Sequence, residues 1–322
     1  MRQYHDTDYL AVSAALHARL ARALTQEKVE RMLEAATAAE AWKTAVPCGC
    51  PELADVTLDA VEGALAEARR ALYRELKALA PDKRLVEFFQ VKYDYHNAKA
   101  ALKAAPETAE RLVIDCGRSD AAALVRGELS TASPALRRAV AQAKDALAEG
   151  GAQEADLLLD RACFAEMAAL AKESGNAFLQ DYAALQIDAV NLRTLVRRAR
   201  MGRGEGDASA LLAGGRISVQ RLAAARGTAL ADIYRGSPLE EAAALAPALL
   251  AGGSLTEFER RCDDALMDCL RAARRAAFGE QVVVGYLGAK ETEFTVLRTV
   301  MTGKLAGLDA ADIRARLRET YL

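Results

Sequence analysis

Apolar residues recur along this chain at helical spacing and almost nowhere at strand spacing. Val29, Met32, Leu33 and Ala36 follow the i, i+3, i+4, i+7 rule of a buried helix face. The loop Val46-Pro47-Cys48-Gly49-Cys50-Pro51 interrupts the pattern. It resumes near Thr57, runs to about Ala80, breaks at Pro81-Asp82, and continues from about Leu85 until just before Pro106. Ser133-Pro134 opens another helix, with proline in the first turn. A later helix ends at Met201-Gly202, and Arg203-Gly204-Glu205-Gly206 reads as an exposed hinge. After Gly252-Gly253, Ser254 or Thr256 is the expected N-cap of the next segment. The best strand candidate, Val282-Val283-Val284, leads straight into a helical stretch and reads as one buried turn. The pattern predicts an all-α protein.

Within it, one helical signature is written three times: Val91-Lys92-Tyr93-Asp94-Tyr95-His96-Asn97-Ala98-Lys99, Leu185-Gln186-Ile187-Asp188-Ala189-Val190-Asn191-Leu192-Arg193, and Lys290-Glu291-Thr292-Glu293-Phe294-Thr295-Val296-Leu297-Arg298. Each has an acid, then Asn or Val three on, then a base five on. The acids at 94, 188 and 293 are 94 and 105 residues apart, too far for a solenoid unit and about right for small domains. Upstream, Asp59, Asp160 and Glu259 sit in a second recurring segment, 35, 28 and 34 residues before the acids. Downstream, each copy meets a glycine-containing break: Cys116-Gly117-Arg118-Ser119, Gly214-Gly215-Arg216-Ile217 and Ala306-Gly307-Leu308-Asp309. Three diverged helical domains are expected, over 1–125, 126–226 and 227–322.

On a wheel of about 100° per residue, Asp188 lies among Leu185, Leu192 and Leu195, in the middle of the apolar stripe. Asp94 and Glu293 are surrounded in the same way. A buried carboxylate must be hydrogen-bonded or paired. The base five positions on, Lys99, Arg193 or Arg298, points about 140° away, so the partners are expected on neighbouring helices or at a facing helix N-terminus. Asn97 and Asn191 extend this network. Val296 leaves a smaller one in the third copy.

Composition narrows the function. The 322 residues are 52% hydrophobic with only 5% aromatics, the palette of helix packing. A net charge of −2 argues against a nucleic-acid binder held by a basic surface. No run reaches the roughly 18 apolar residues of a membrane span, and the start lacks a signal-peptide core. Six scattered cysteines fit reduced thiols. A cytoplasmic protein is expected.

The signatures resemble the C subunit of the vacuolar-type (V/A-type) rotary ATPases, called the d subunit in the eukaryotic enzymes. The similar residues are Lys92 to Asn97, Ile187 to Arg193 with Arg197-Arg198-Ala199-Arg200, and the run from Gly285-Tyr286-Leu287 through Glu293, Leu297-Arg298 and Gly303-Lys304-Leu305 to Gly307-Leu308. Val296 stands where that family often has Asn. The resemblance implies a funnel of three similar domains around a pseudo-threefold axis, peripheral on the inner face of the membrane. It implies a non-catalytic, cofactor-free rotor component between the central stalk and the proteolipid ring, serving proton or sodium transport. Arg193, Arg197 and Arg200 are then candidate stalk contacts, and Asp94, Asn97, Lys99, Asp188, Asn191, Arg193, Glu293 and Arg298 form the structural motif.

Two rival readings use other features. One is a free-standing helical adaptor for another partner. The other is a metal- or thiol-dependent enzyme built on Cys48, Cys50 and Cys116, although a lone C-x-C is a weak metal signal and three histidines cannot make a His-rich centre. Tyr93, Asp94, Tyr95 and His96 suggest acid–base chemistry, yet His96 has no counterpart in the other copies. Gly202, Gly204 and Gly206 follow no strand and lack Gly-Lys-Ser/Thr, so they read as a linker and not as a phosphate loop.

Overall fold

The computed structural model describes residues 4–202, 208–224 and 229–322. The expected hinge at 203–206 and the domain boundary at 226/227 lie outside the described residues.

Regular structure among the described residues is helical throughout. The helices are α1 (Leu10–Leu20), α2 (Gln26–Glu34), α3 (Ala38–Ala45), α4 (Leu58–Leu79), α5 (Arg84–Lys103), α6 (Pro106–Leu112), α7 (Ala121–Val125), α8 (Pro134–Ala148), α9 (Ala152–Ser174), α10 (Ala177–Arg200), α11 (Val219–Ala223), α12 (Ala229–Ile233), α13 (Glu240–Ala244), α14 (Ala246–Leu250), α15 (Leu255–Arg271), α16 (Glu280–Leu305) and α17 (Ala310–Arg314). Their starts follow local chemistry. Thr25, Thr57, Ser133, Ser218 and Ser254 each cap a first turn through a side-chain oxygen. Val282–Val284 is the opening of α16, fully inside a helix.

The long helices come as hairpins, α4–α5, α9–α10 and α15–α16. Each packs on the next, α5 on α9 and α10 on α15, and α16 packs back on α4, so the six close into a ring. The short helices fill the spaces between hairpins. One hydrophobic core runs through α1 to α5, α7 to α9, the start of α10, the end of α15, α16 and α17. A second gathers α10 from Leu185 to Val196, Leu211, Leu222, Leu230, α13, α14 and the first half of α15.

α16 is buried more completely than its sequence pattern requires. It packs on α1, α2, α3 and α4, so the beginning of the chain covers the last signature helix.

Candidate functional site

All three acids are buried, and their partners are mostly backbone amides. The loop before α7 turns its N–H groups toward Asp94: those of Arg118 and Ser119 both donate to one carboxylate oxygen at 3.0 Å, and the Arg118 guanidinium reaches the other at 3.4 Å. The loop before α11 also turns two N–H groups toward Asp188, one to each carboxylate oxygen, from Arg216 at 3.0 Å and Ile217 at 3.3 Å. Three residues along each helix, Asn97 and Asn191 close a two-bond clasp, each donating to and accepting from one backbone residue, Ile114 and Leu212. The repeat is therefore literal at the level of hydrogen bonds.

Gly117 and Gly215 make this approach possible. A Cβ at either would lie 2.1 Å from the aspartate oxygen. Burial pushes both carboxyls above the ordinary aspartate value, and the loop N–H donors pull them back.

The third copy departs from this plan. Glu293 accepts from the N–H of Leu24 at 3.1 Å and from Lys290, so its loop comes from the start of the chain. The break at 306–309, expected to be equivalent to the other two, instead starts α17, with Asp309 as its cap. Lys290 also donates to the Cys48 carbonyl at 2.9 Å, which ties the 46–51 loop beneath α16.

The bases five positions on turn away from the acids and reach the start of the following long helix. Lys99 pairs with Asp160 at 2.6 Å. Arg193 holds Glu259 at 2.6 Å and Asp263 at 2.5 Å. Arg298 pairs with Glu62 at 2.5 Å, one turn beyond Asp59, the acid of the recurring upstream segment. The two recurring segments are thus the two halves of one set of ion pairs, and the third pair joins α16 to α4.

Two carboxylates escaped the sequence reading. Glu291 accepts from Lys92 at 2.6 Å, from the Tyr73 hydroxyl at 2.6 Å and from the Tyr93 hydroxyl at 2.6 and 2.7 Å. Burial opposes its charge, but Lys92 and Arg69 outweigh that and hold its carboxyl below the usual range. Glu166 accepts from Tyr95 at 2.9 Å, from Ser133 at 3.0 Å and from Arg118. Neither recurs in the other copies, so spacing alone carried no signal for them.

The signature position two before each acid, Lys92, Gln186 or Glu291, lines one cavity between the inner helices. Phe89 and Tyr182, with ring centroids 6.0 Å apart, line the same cavity near the starts of α5 and α10. An adjoining hollow, sharing Lys92 and Gln186, extends along α5 and α10 to Lys99 and Arg193, about 10 Å further along each helix. Arg197 and Arg200 follow on α10, exposed, one on Glu259 and the other on the Gly253 carbonyl.

Nothing here resembles an activated nucleophile. All six cysteines are free. Burial pushes the Cys50 and Cys116 thiols up to about 12 and raises Cys48 as well. Among the described residues no three His, Cys, Asp or Glu side chains converge as metal ligands. His96 meets the Leu112 carbonyl at 2.9 Å, a local contact.

Asn191→Val is expected to destabilise the protein by about 2–4 kcal/mol, because it leaves a buried N–H and C=O at Leu212 without partners. Chemical denaturation of the purified variant measures this. An unchanged midpoint would mean that the clasp is dispensable.

Comparison with known proteins agrees with this architecture. Residues 12–316 match the model of the family described as ATP synthase (C/AC39) subunit. The C subunit of the V-type sodium ATPase of Enterococcus hirae is 24% identical over 270 residues, 81% of this chain and 82% of that protein. The chain therefore belongs to the ATP synthase (C/AC39) subunit family, a family of non-catalytic components of rotary ATPases.

Proposed function

We propose that this chain is the collar that couples the central stalk of a V/A-type rotary ATPase to its membrane proteolipid ring, in proton or sodium transport. The family match across residues 12–316 carries this reading. A ring of long helices around a cavity supports it, since helices packed along their lengths transmit torque without a hinge. No helix among the described residues is long and apolar enough to cross a membrane, so the collar would sit against the ring and not within the bilayer.

Of the three candidate stalk contacts, Arg193 is committed to Glu259 and Asp263 and serves the fold. Arg197, with 54% of its side chain exposed, and Arg200 lie exposed in the last turn of α10, each bonded to one partner. The adaptor reading has no comparable support.

Membranes lacking this chain should retain ATP hydrolysis by the soluble sector and lose ATP-driven ion uptake. Normal ion uptake in such membranes would rule out the coupling role. Arg197→Glu with Arg200→Glu should weaken binding to the isolated stalk while leaving the melting temperature nearly unchanged.

A further inference from the structure

The surface of α16 around Glu293 and Lys290 is a docking site filled by another part of the same chain. We propose that residues 19–34 are the displaced cap of the third unit, so that three equivalent units form the ring and the third is split between the two ends of the sequence. This goes beyond the proposed function and does not depend on it.

The hydrogen bonds give a common frame. In each copy the acid accepts the N–H of the residue just before an N-cap: Ser119 before Asp120, Ile217 before Ser218, Leu24 before Thr25. Those caps start α7, α11 and α2, and each accepts from the N–H three residues on. Six positions before the cap, the first two copies place Ile114 and Leu212, the residues held by Asn97 and Asn191. The third places Arg19 there. Arg19 lies inside α1, where helical bonding already engages its backbone. An asparagine on α16 would find nothing to clasp, and Val296 is buried in its place.

The same frame accounts for the glycines. Three positions before the cap stand Gly117, Gly215 and Arg22. The first two lie against an aspartate, while the acid of the third unit is the longer Glu293, held through Leu24. The ion pairs follow the frame as well: each base reaches the long helix after its own cap unit, and for Arg298 that helix is α4, reached through α1–α3.

α1 and the residues after α17 both pack against the connection between α15 and α16. Ser13 and His17 bond Gly279 and the Ala277 carbonyl at 3.2 and 3.1 Å, and Arg271 and Arg274 bond the carbonyls of Thr320 and Tyr321. A circular permutant tests this arrangement. Leu322 would be joined to Met1 through a Gly/Ser linker of about 12 residues, which reaches roughly 20 Å, and the chain opened between Ala54 and Asp55.

That permutant makes every unit contiguous, and it should melt within about 5 °C of the wild type with Glu293→Ala lowering both proteins equally. Hydrogen exchange on the unpermuted chain gives an independent reading. Residues 19–34 should open together with α16, as 112–125 do with α5 and 211–223 with α10. A permutant that loses its native structure would overturn the proposal. So would a wild-type chain in which residues 19–34 exchange freely while α16 stays protected.

Discussion

Glu291→Ala should lower the stability of the protein by about 3–5 kcal/mol, the cost of leaving buried charge without its partner. The glutamate has 14% of its side chain exposed and stands between α4, α5 and α16, where Tyr73, Lys92 and Tyr93 all donate to it. Removing it orphans two phenolic hydroxyls and leaves Arg69 and Lys92 facing one another. Lys92 is partly exposed, which places the loss toward the lower end of that range. Equal unfolding midpoints for wild type and variant would show that water replaces the carboxylate without cost.

The same residue gives a pH signature. Its carboxyl titrates below the unfolded value of about 4.3, so its contribution is fully present above that value and is lost as pH falls through the lower, folded one. The stability difference between wild type and Glu291→Gln should therefore be constant from neutral pH to about pH 5 and shrink in stronger acid. Asp94 and Asp188 act with the opposite sign. Their folded values are raised, so the native state takes up protons first and gains in that window. A difference that grows on acidification would contradict the assigned charge of Glu291.

Gly215→Ala should cost about 3 kcal/mol, although its backbone lies outside the left-handed region and tolerates alanine. The new methyl would stand 2.1 Å from the Asp188 oxygen. The loop must retreat, and the Arg216 and Ile217 N–H groups lose their acceptor. Asp188→Ala alone should cost about 2–4 kcal/mol through the same two orphaned donors. The double variant should then cost at least about 1 kcal/mol less than the two singles together, because both remove one interaction. Strict additivity would mean that the glycine is there for another reason.

Much of this was legible in the sequence, for identifiable reasons. Helices announced themselves through apolar spacing and caps, and Asp94, Asp188 and Glu293 stood out because an acid in an apolar stripe must have a partner. That the partner is a loop before a helix N-terminus follows from the same physics. Which loop serves Glu293 could not be read from spacing, since Leu24 lies 269 residues away and the local break at 306–309 looked equivalent. That Arg298 pairs with Glu62 was not legible either, because Asp59 and Glu62, three residues apart, share a helix face and packing chooses between them. Glu291 was hidden by singularity: its tyrosine and lysine partners come from two other helices and have no repeat to betray them.

The ion pair between Arg298 and Glu62 completes the circuit of helices, yet as an exposed pair it is worth little by itself. Its significance is mechanical. A tube slit along its length twists easily, whereas the same wall with its edges joined is far stiffer. Chain connectivity links α5 to α9 and α10 to α15 through the short helices between them, but α16 meets α4 with no such forward link. The edge there is held by Glu291, which accepts from Tyr73 on α4, while Glu293 ties the loop at Leu24 onto α16 beside it. If the chain is the collar proposed above, Glu291 is the weld of that seam.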